Sequence, residues 1–353
     1  MRSRFGFIAF LLLLTSIAAG QSYTVTDLGI PPGDSFSVGS SLNATGQVVG
    51  ATGTSLQHGF FWSASQGMSD LPPLHGGIFS AASGINAGGV VAGFSTTQGG
   101  GTDHAVVWIN SKVRDLGTLP GGTVSVASAI NDAGQVVGGS NSAGSDTHAI
   151  LWSQANGMHD LGVLLSGGYS LAQGINRFGH VVGESTTVGN NFHGFYWTKA
   201  HGMQDLGTLP GGTSSYAYDI NDLGQVTGYS DCGSSCQHAV LWIPGGGIQD
   251  LGSLVNSNVS NGNGINNASQ VVGYAVLPGA VYHAFVWSQA AGMQDLNNLI
   301  PVNSGWTLEF AFAINDSGQI TGRGSINGQD HAFLLTPIDA AAESSQNRNS
   351  SRA

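Results

Sequence analysis

Positive charge is scarce in this 353-residue chain: 9 Lys plus Arg stand against 20 Asp plus Glu, and lysine occurs only at Lys112 and Lys199. A surface that follows phosphates needs clustered cations, so nucleic acid and anionic membrane are excluded as partners. Cysteine is limited to Cys232 and Cys236 in "CGSSC". Two thiols are half a metal-ligand set, so the expected state is a disulfide pinning one loop, with a redox-active pair as the alternative. Signatures of the type GxSxG, HExxH and GxxxxGKS are missing, and with them the usual routes to a serine hydrolase, a zinc protease or a phosphate loop. Glutamate is almost as rare, with only Glu184 and Glu309 between residues 21 and 337.

The sole long apolar run lies at the start, in "MRSRFGFIAFLLLLTSIAAGQS". Two arginines, apolar residues from Phe5 to Leu14 and small residues up to Gly20 have the layout of a secretory signal peptide. The run is about half the ~20 residues that a spanning helix needs, so residues 1–20 read as a cleaved leader and no membrane span is expected. Residues 338–353, "IDAAAESSQNRNSSRA", are polar and aperiodic and read as a disordered tail.

Between these ends the chain repeats itself. Asn follows Ile or Leu at Asn43, Asn86, Asn131, Asn176, Asn221, Asn266 and Asn315. A motif of the "HAFLW" type begins at His58, His104, His148, His193, His238, His283 and His331. The pair "DL" begins at Asp27, Asp70, Asp115, Asp160, Asp205, Asp250 and Asp295. Most successive spacings are 45, a period that signals a propeller or solenoid. Each period reads as four strands: A ending in "IN", B as "GQVVG", C as "HAFLW" and D as "MQDLG", with Gly-containing turns between them.

The order of these strands at the two ends favours a ring. A lone strand D, "YTVTDLG", opens the mature chain, and a lone A, B and C close it. Together they complete a seventh sheet, so the expectation for residues 21–337 is an all-β, seven-bladed β-propeller whose N-terminal strand completes the last blade. A sheet of ~45 residues cannot bury both faces alone, so neighbouring blades must supply the stability. Small residues four before each Asn and Ser six before most of them suit an innermost strand, with Glu309 at the Ser position in the last repeat. Pairing Trp62 with Met68 would bring each His within reach of an Asp, satisfying both where burial would penalise either alone, with His331 and Asp27 paired in the closing blade.

"HAVLW", "HAFVW" and "HAFLL", followed by "MQDLG" and then by "INDxGQVVG", resemble the bacterial extracellular repeat family named HAF after its tripeptide. The resemblance covers residues 23 to 336 and implies an exported protein, with no catalytic residues to carry over. His58 and His193 precede Gly, Leu335 replaces Trp, and "INAGGVVAG" lacks the Gln.

Equivalent residues in a ring stand too far apart to share one ion at ~2 Å, so the repeated His and Asp read as structural, and neither metal nor cofactor is expected. Function is sought where a repeat breaks its own rule. From Asp to Asn the last D-to-A interval is 20 residues against 16 elsewhere, and it brings in Trp306, Glu309 and Phe310. Glu309 is expected near the channel mouth, where it would bind a cation or sugar hydroxyls, act as acid or base, or simply cap the extra loop. A variable slot after the Gly of strand B holds Ala51, Phe94, Gly139, Glu184, Tyr229, Tyr274 and Arg323, which read either as a binding rim or as packing. Arg177, Phe178 and His180 form a weaker candidate on the opposite face. The favoured function is a secreted, monomeric, non-enzymatic scaffold for an extracellular glycan or protein. The alternative is a carbohydrate- or lactone-acting hydrolase or lyase using Glu309.

Overall fold

The computed structural model describes residues 21–143, 146–165, 168–255 and 257–338. The expected leader and the tail beyond residue 338 lie outside the described residues. The chain is all-β, and its strands follow the expected A to D order. In the first repeat these are Phe36–Leu42, Val48–Gly53, Gln57–Ser63 and Gly67–Leu71. Five sheets have four strands each; an eight-stranded sheet joins the first repeat to Trp306–Ile314, Ile320–Ile326, Gln329–Pro337 and Tyr23–Asp27. The two halves of that larger sheet meet through one parallel pair, Phe36 with Asp330. Tyr23–Asp27 pairs antiparallel with Gln329–Pro337, Asp27 opposite Phe333, as the strand order implied.

The turn from A to B is built by its Asn. Asn221 Oδ1 accepts the N–H of Leu223 at 3.0 Å and of Gln225 at 2.9 Å, while its Nδ2 donates to Gln225 Oε1. The same Nδ2 donates at 3.1 Å to the carbonyl of Asn266 in the following repeat. Each repeat does likewise: Asn43 donates to Asn86, Asn86 to Asn131, Asn131 to Asn176, Asn176 to Asn221, Asn266 to Asn315, and Asn315 at 3.0 Å back to Asn43. Each buried side-chain amide is therefore satisfied by a backbone carbonyl of the neighbouring repeat.

Strand A carries a bulge, and the bulge dictates the glycine of strand B. In the fifth repeat the register shifts between Ala217 and Asp219, leaving Tyr218 unpaired. The Tyr216 carbonyl then leans so close that a Cβ on Gly228 would sit 1.8 Å from it. No other residue fits there.

Serine joins one repeat to the next. Ser125 Oγ donates to the Gly117 carbonyl at 2.6 Å and accepts the Ala105 N–H at 2.8 Å, and Ser37 accepts the Ala332 N–H of the last repeat in the same way. In the last repeat the register contradicts the expectation for Glu309. A second shift, between Leu308 and Phe310, places buried Leu308 opposite Gly324 at the serine level and leaves Glu309 as the extra residue of a bulge. Asn297, at the position where most repeats have the Gly that follows the DL pair, replaces the serine as the joint, accepting the Leu308 N–H at 2.7 Å and donating to the Leu308 carbonyl at 2.9 Å.

Buried apolar side chains gather between sheets. Val49 and Leu71 of the first repeat pack with Ala82, Ile85, Val91, Val106 and Trp108 of the second, and full burial of each large side chain contributes about 1.5–3 kcal/mol. The His–Asp pairs form as expected, six at 2.6–2.9 Å and His58–Asp70 at 3.6 Å. They are not buried, contrary to the sequence argument: the His side chains are 15–42 % exposed and the Asp side chains 15–60 %. Screened by water, such pairs add little stability. Their effect is local, since Asp115 Oδ1 also accepts the Gly117 N–H at 2.7 Å and so shapes the turn into the next strand A.

Candidate aromatic binding site

The slot residue of strand B pairs with the residue five before each Asn, at the end of the A–B hairpin remote from the Asn turn. These pairs are Val38 with Ala51, Ala81 with Phe94 and Val126 with Gly139 in the first three repeats. In the next four they are Leu171 with Glu184, Tyr216 with Tyr229, Asn261 with Tyr274 and Phe310 with Arg323. The bulge residue follows suit: Ser40, Ser83 and Ser128 give way to Gln173, Tyr218, Asn263 and Phe312.

Rings accordingly accumulate over the last four repeats. Tyr169 meets Phe192 edge-on at 5.8 Å, Phe192 stacks on Tyr216 at 5.6 Å, and Tyr216 stacks on Tyr229 at 4.8 Å, with Tyr218 5.9 Å from Tyr229. Tyr274 contacts Phe310 at 4.8 Å and Tyr282 at 5.9 Å, and Phe310 stacks on Phe312 at 5.9 Å. Asn261 supports the second group from beneath, donating to the Tyr274 hydroxyl and accepting from Gln237. All of these rings are half-buried or exposed, so the arc presents aromatic surface to solvent.

One carboxyl lies within this arc. Glu184 is 6 % exposed and accepts from Gln173 Nε2 at 3.3 Å on both oxygens. Burial pushes its carboxyl up to about 7, against which the Gln173 hydrogen bond acts. Burial also raises Tyr169, Tyr216 and Tyr218, with the Glu184 carboxylate adding to each. Near neutrality the group is therefore partly protonated and able to donate a hydrogen bond.

Of the residues singled out from sequence, the arc collects Phe310, Glu184, Tyr229 and Tyr274. Arg323 sits at its edge, 4.7 Å over the Phe310 ring, bonded to Glu309 at 2.9 Å and to Asp330 at 3.3 Å. Glu309 is thus held by a guanidinium. Phe94 stands apart in the second repeat, stacked on Phe79 at 5.6 Å, and Trp306 packs edge-on against His331 and Phe333 at 6.2 Å. Tyr169, Phe192, Tyr216, Tyr218, Tyr282, Gln173 and Asn261 were missed. Their one signal was the stretch "SYAYDIN", which places Tyr216 and Tyr218 where the first three repeats have small or aliphatic residues.

The Asn-turn end opens on a cavity of about 250 Å³ lined by Asp132, Arg177, Asp222, Asn267 and Asp316. Its carboxylates are engaged in structure: Asp132 accepts from the Ala87 N–H, Asp222 from Arg177, and Asp316 from Asn267. Arg177 lies 4.7 Å over Phe178, and His180 bonds the Tyr196 hydroxyl at 2.7 Å. The expected disulfide, Cys232–Cys236, is present, and no helix among the described residues is long and apolar enough to cross a membrane.

No family model and no curated protein matches the chain. Among solved structures it is similar to TolB from Acinetobacter baumannii, at 9% identity and a TM-score of 0.43 over 80% of this chain and 76% of that one. A protein of unknown function from Bacteroides thetaiotaomicron matches at 10% identity and a TM-score of 0.44, over 90% and 76%. AofleA from Arthrobotrys oligospora matches at 11% identity and a TM-score of 0.40, over 72% and 85%.

Proposed function

We propose that the chain is an exported, closed seven-bladed β-propeller of the HAF-repeat type, acting as a non-enzymatic scaffold that binds an extracellular glycan on the aromatic arc. The observation that carries the reading is the gathering of half-buried or exposed rings in two groups, Tyr169 to Tyr229 and Tyr274 to Phe312, confined to the last four repeats and interleaved with Gln173 and Asn263. Aromatic faces give large contact area at low entropic cost, and side-chain amides serve sugar hydroxyls as both donor and acceptor. Closure is supported by the Asn315-to-Asn43 and Ala332-to-Ser37 bonds between the last and first repeats. Export is supported by the disulfide and by the leader-like first twenty residues.

A second reading, hydrolysis or elimination on a carbohydrate or lactone, draws on Glu184, whose raised carboxyl suits an acid catalyst. Glu309, paired with Arg323, suits that role less. Screening the full chain on a glycan array and on chromogenic glycosides and lactones separates the two readings. Saturable binding without turnover is expected, with Tyr216→Ala plus Tyr274→Ala weakening it at least about thirtyfold, or ~2 kcal/mol. Turnover abolished by Glu184→Gln would replace the scaffold by an enzyme, and binding indifferent to both tyrosine changes would remove the arc as the site.

A further inference from the structure

The disulfide carries chemistry that the scaffold does not use. Every repeat has a His whose Nδ1 faces an Asp, and in the fifth repeat this His238 also has sulfur on its other side. His238 Nδ1 lies 2.9 Å from Asp250 Oδ1, and its Nε2 lies 3.8 Å from Cys236 Sγ. A carboxylate only accepts, so the neutral imidazole holds its proton on Nδ1 and turns the Nε2 lone pair toward sulfur. Asp, His and Cys are thereby aligned in the order that activates a thiol.

The two sulfurs differ in surroundings. Cys232 packs against the apolar cluster that includes Leu209 and Val226, where a thiolate is disfavoured, whereas Cys236 is the one in contact with the imidazole. The bridge closes a surface loop whose three inner residues, Gly233 to Ser235, are exposed. Both cysteines are only half-buried.

We propose that Cys232–Cys236 is a thiol–disulfide exchange site for low-molecular-weight thiols, with Cys236 as leaving thiolate and His238 as its proton acceptor and donor. The thiolate of the small thiol forms a bond to Cys232 Sγ while the Cys232–Cys236 bond breaks and its electron pair passes to Cys236 Sγ. The proton lost by the small thiol goes to His238 Nε2, giving an imidazolium beside the Cys236 thiolate and facing the Asp250 carboxylate. No net oxidation occurs, since one disulfide is exchanged for another. In the reverse direction Cys236 is the nucleophile that expels the small thiol.

The test is reaction of the oxidised full chain with reduced glutathione, trapped by N-ethylmaleimide and mapped by peptide mass spectrometry. Glutathione is expected on Cys232 and maleimide on Cys236. His238→Gln should slow the exchange about tenfold, while His193→Gln, the same repeat position without a sulfur neighbour, leaves the rate unchanged. A second measurement does not depend on the oxidised fold of the variant: in the fully reduced wild-type chain, iodoacetamide should label Cys236 faster than Cys232 by about tenfold at pH 6.5. Glutathione found on Cys236 instead, equal labelling of the two thiols, or exchange insensitive to His238→Gln would each overturn the assignment.

Discussion

The two ends of the A–B hairpins have been put to different uses. At the turn, Asn43 and its six counterparts make the same bond to the next repeat, and the neighbouring Asp residues accept backbone N–H groups. At the other end the paired residues run from Val38 with Ala51 to Phe310 with Arg323, and no two repeats agree. A position whose polar atoms must serve a neighbouring sheet has one solution, because a buried orphan amide costs more than any substitution returns. The positions at the other end, half-exposed as at Tyr229 or buried as at Glu184, carry no bond that every repeat needs and are open to change. Uniformity therefore marks where the molecule is held together, and variation marks where it meets its surroundings.

The comparison breaks first at the turn. Asn221→Ala removes two accepted and two donated hydrogen bonds at a site 4 % exposed, and is expected to cost about 3 kcal/mol by chemical denaturation. A loss under about 1 kcal/mol would mean that the Asn series is not what binds the sheets.

At the variable end the larger effect is one of pH. Glu184 titrates near 7 in the fold against 4.5 in the open chain, because burial disfavours its charge. Its contribution is fully present below 4.5 and disappears as pH rises through 7, so wild-type stability should fall by about 2 kcal/mol on this account between about pH 5 and 8. Glu184→Gln should flatten that slope. Asp219, raised by burial to about 6, contributes in the same sense and leaves a residual slope below pH 7. Melting temperatures across that range are the check, and a wild-type slope of opposite sign would contradict the burial of Glu184.

A smaller effect sharpens the comparison at the junction of last and first repeats. Where most repeats set Val against Ala, Thr227 faces Gly262 and Thr321 faces Gly39, since a Cβ on either glycine would lie 2.3 Å from the threonine Oγ1. Gly39→Ala should cost about 1.5 kcal/mol, and Thr321→Val should recover most of it by restoring the commoner pair. Additive effects would mean that residues 39 and 321 do not touch.

Much of this was legible in the sequence because a 45-residue spacing and a two-residue alternation are both properties of the chain alone. Trp62 does pair with Met68, and Tyr23–Asp27 does dock on the last repeat. Counting failed where the backbone bulges: six before Asn315 is Glu309, yet the extra register shift puts Leu308 in the serine's place. The arc was only half visible for a related reason. Tyr218 sits on a bulge that no alternation flags, and Phe192 joins Tyr216 only because neighbouring sheets face each other. The His–Asp pairing followed from register, whereas its exposure depends on how the loops lie and has no counterpart in the spacing.

The serine joints bear on how such a chain evolves. Six of them, at Ser37, Ser80, Ser125, Ser170, Ser215 and Ser260, accept the equivalent N–H of the repeat before, and all but Ser80, which donates to Leu71, donate to a Gly carbonyl eight residues earlier. A repeat duplicated or exchanged between two such serines keeps its joint to the repeat before it, whatever rings it carries. The seam built by Asn297 and Leu308 has no duplicate elsewhere among the described residues, so the last repeat alone lacks an interchangeable joint.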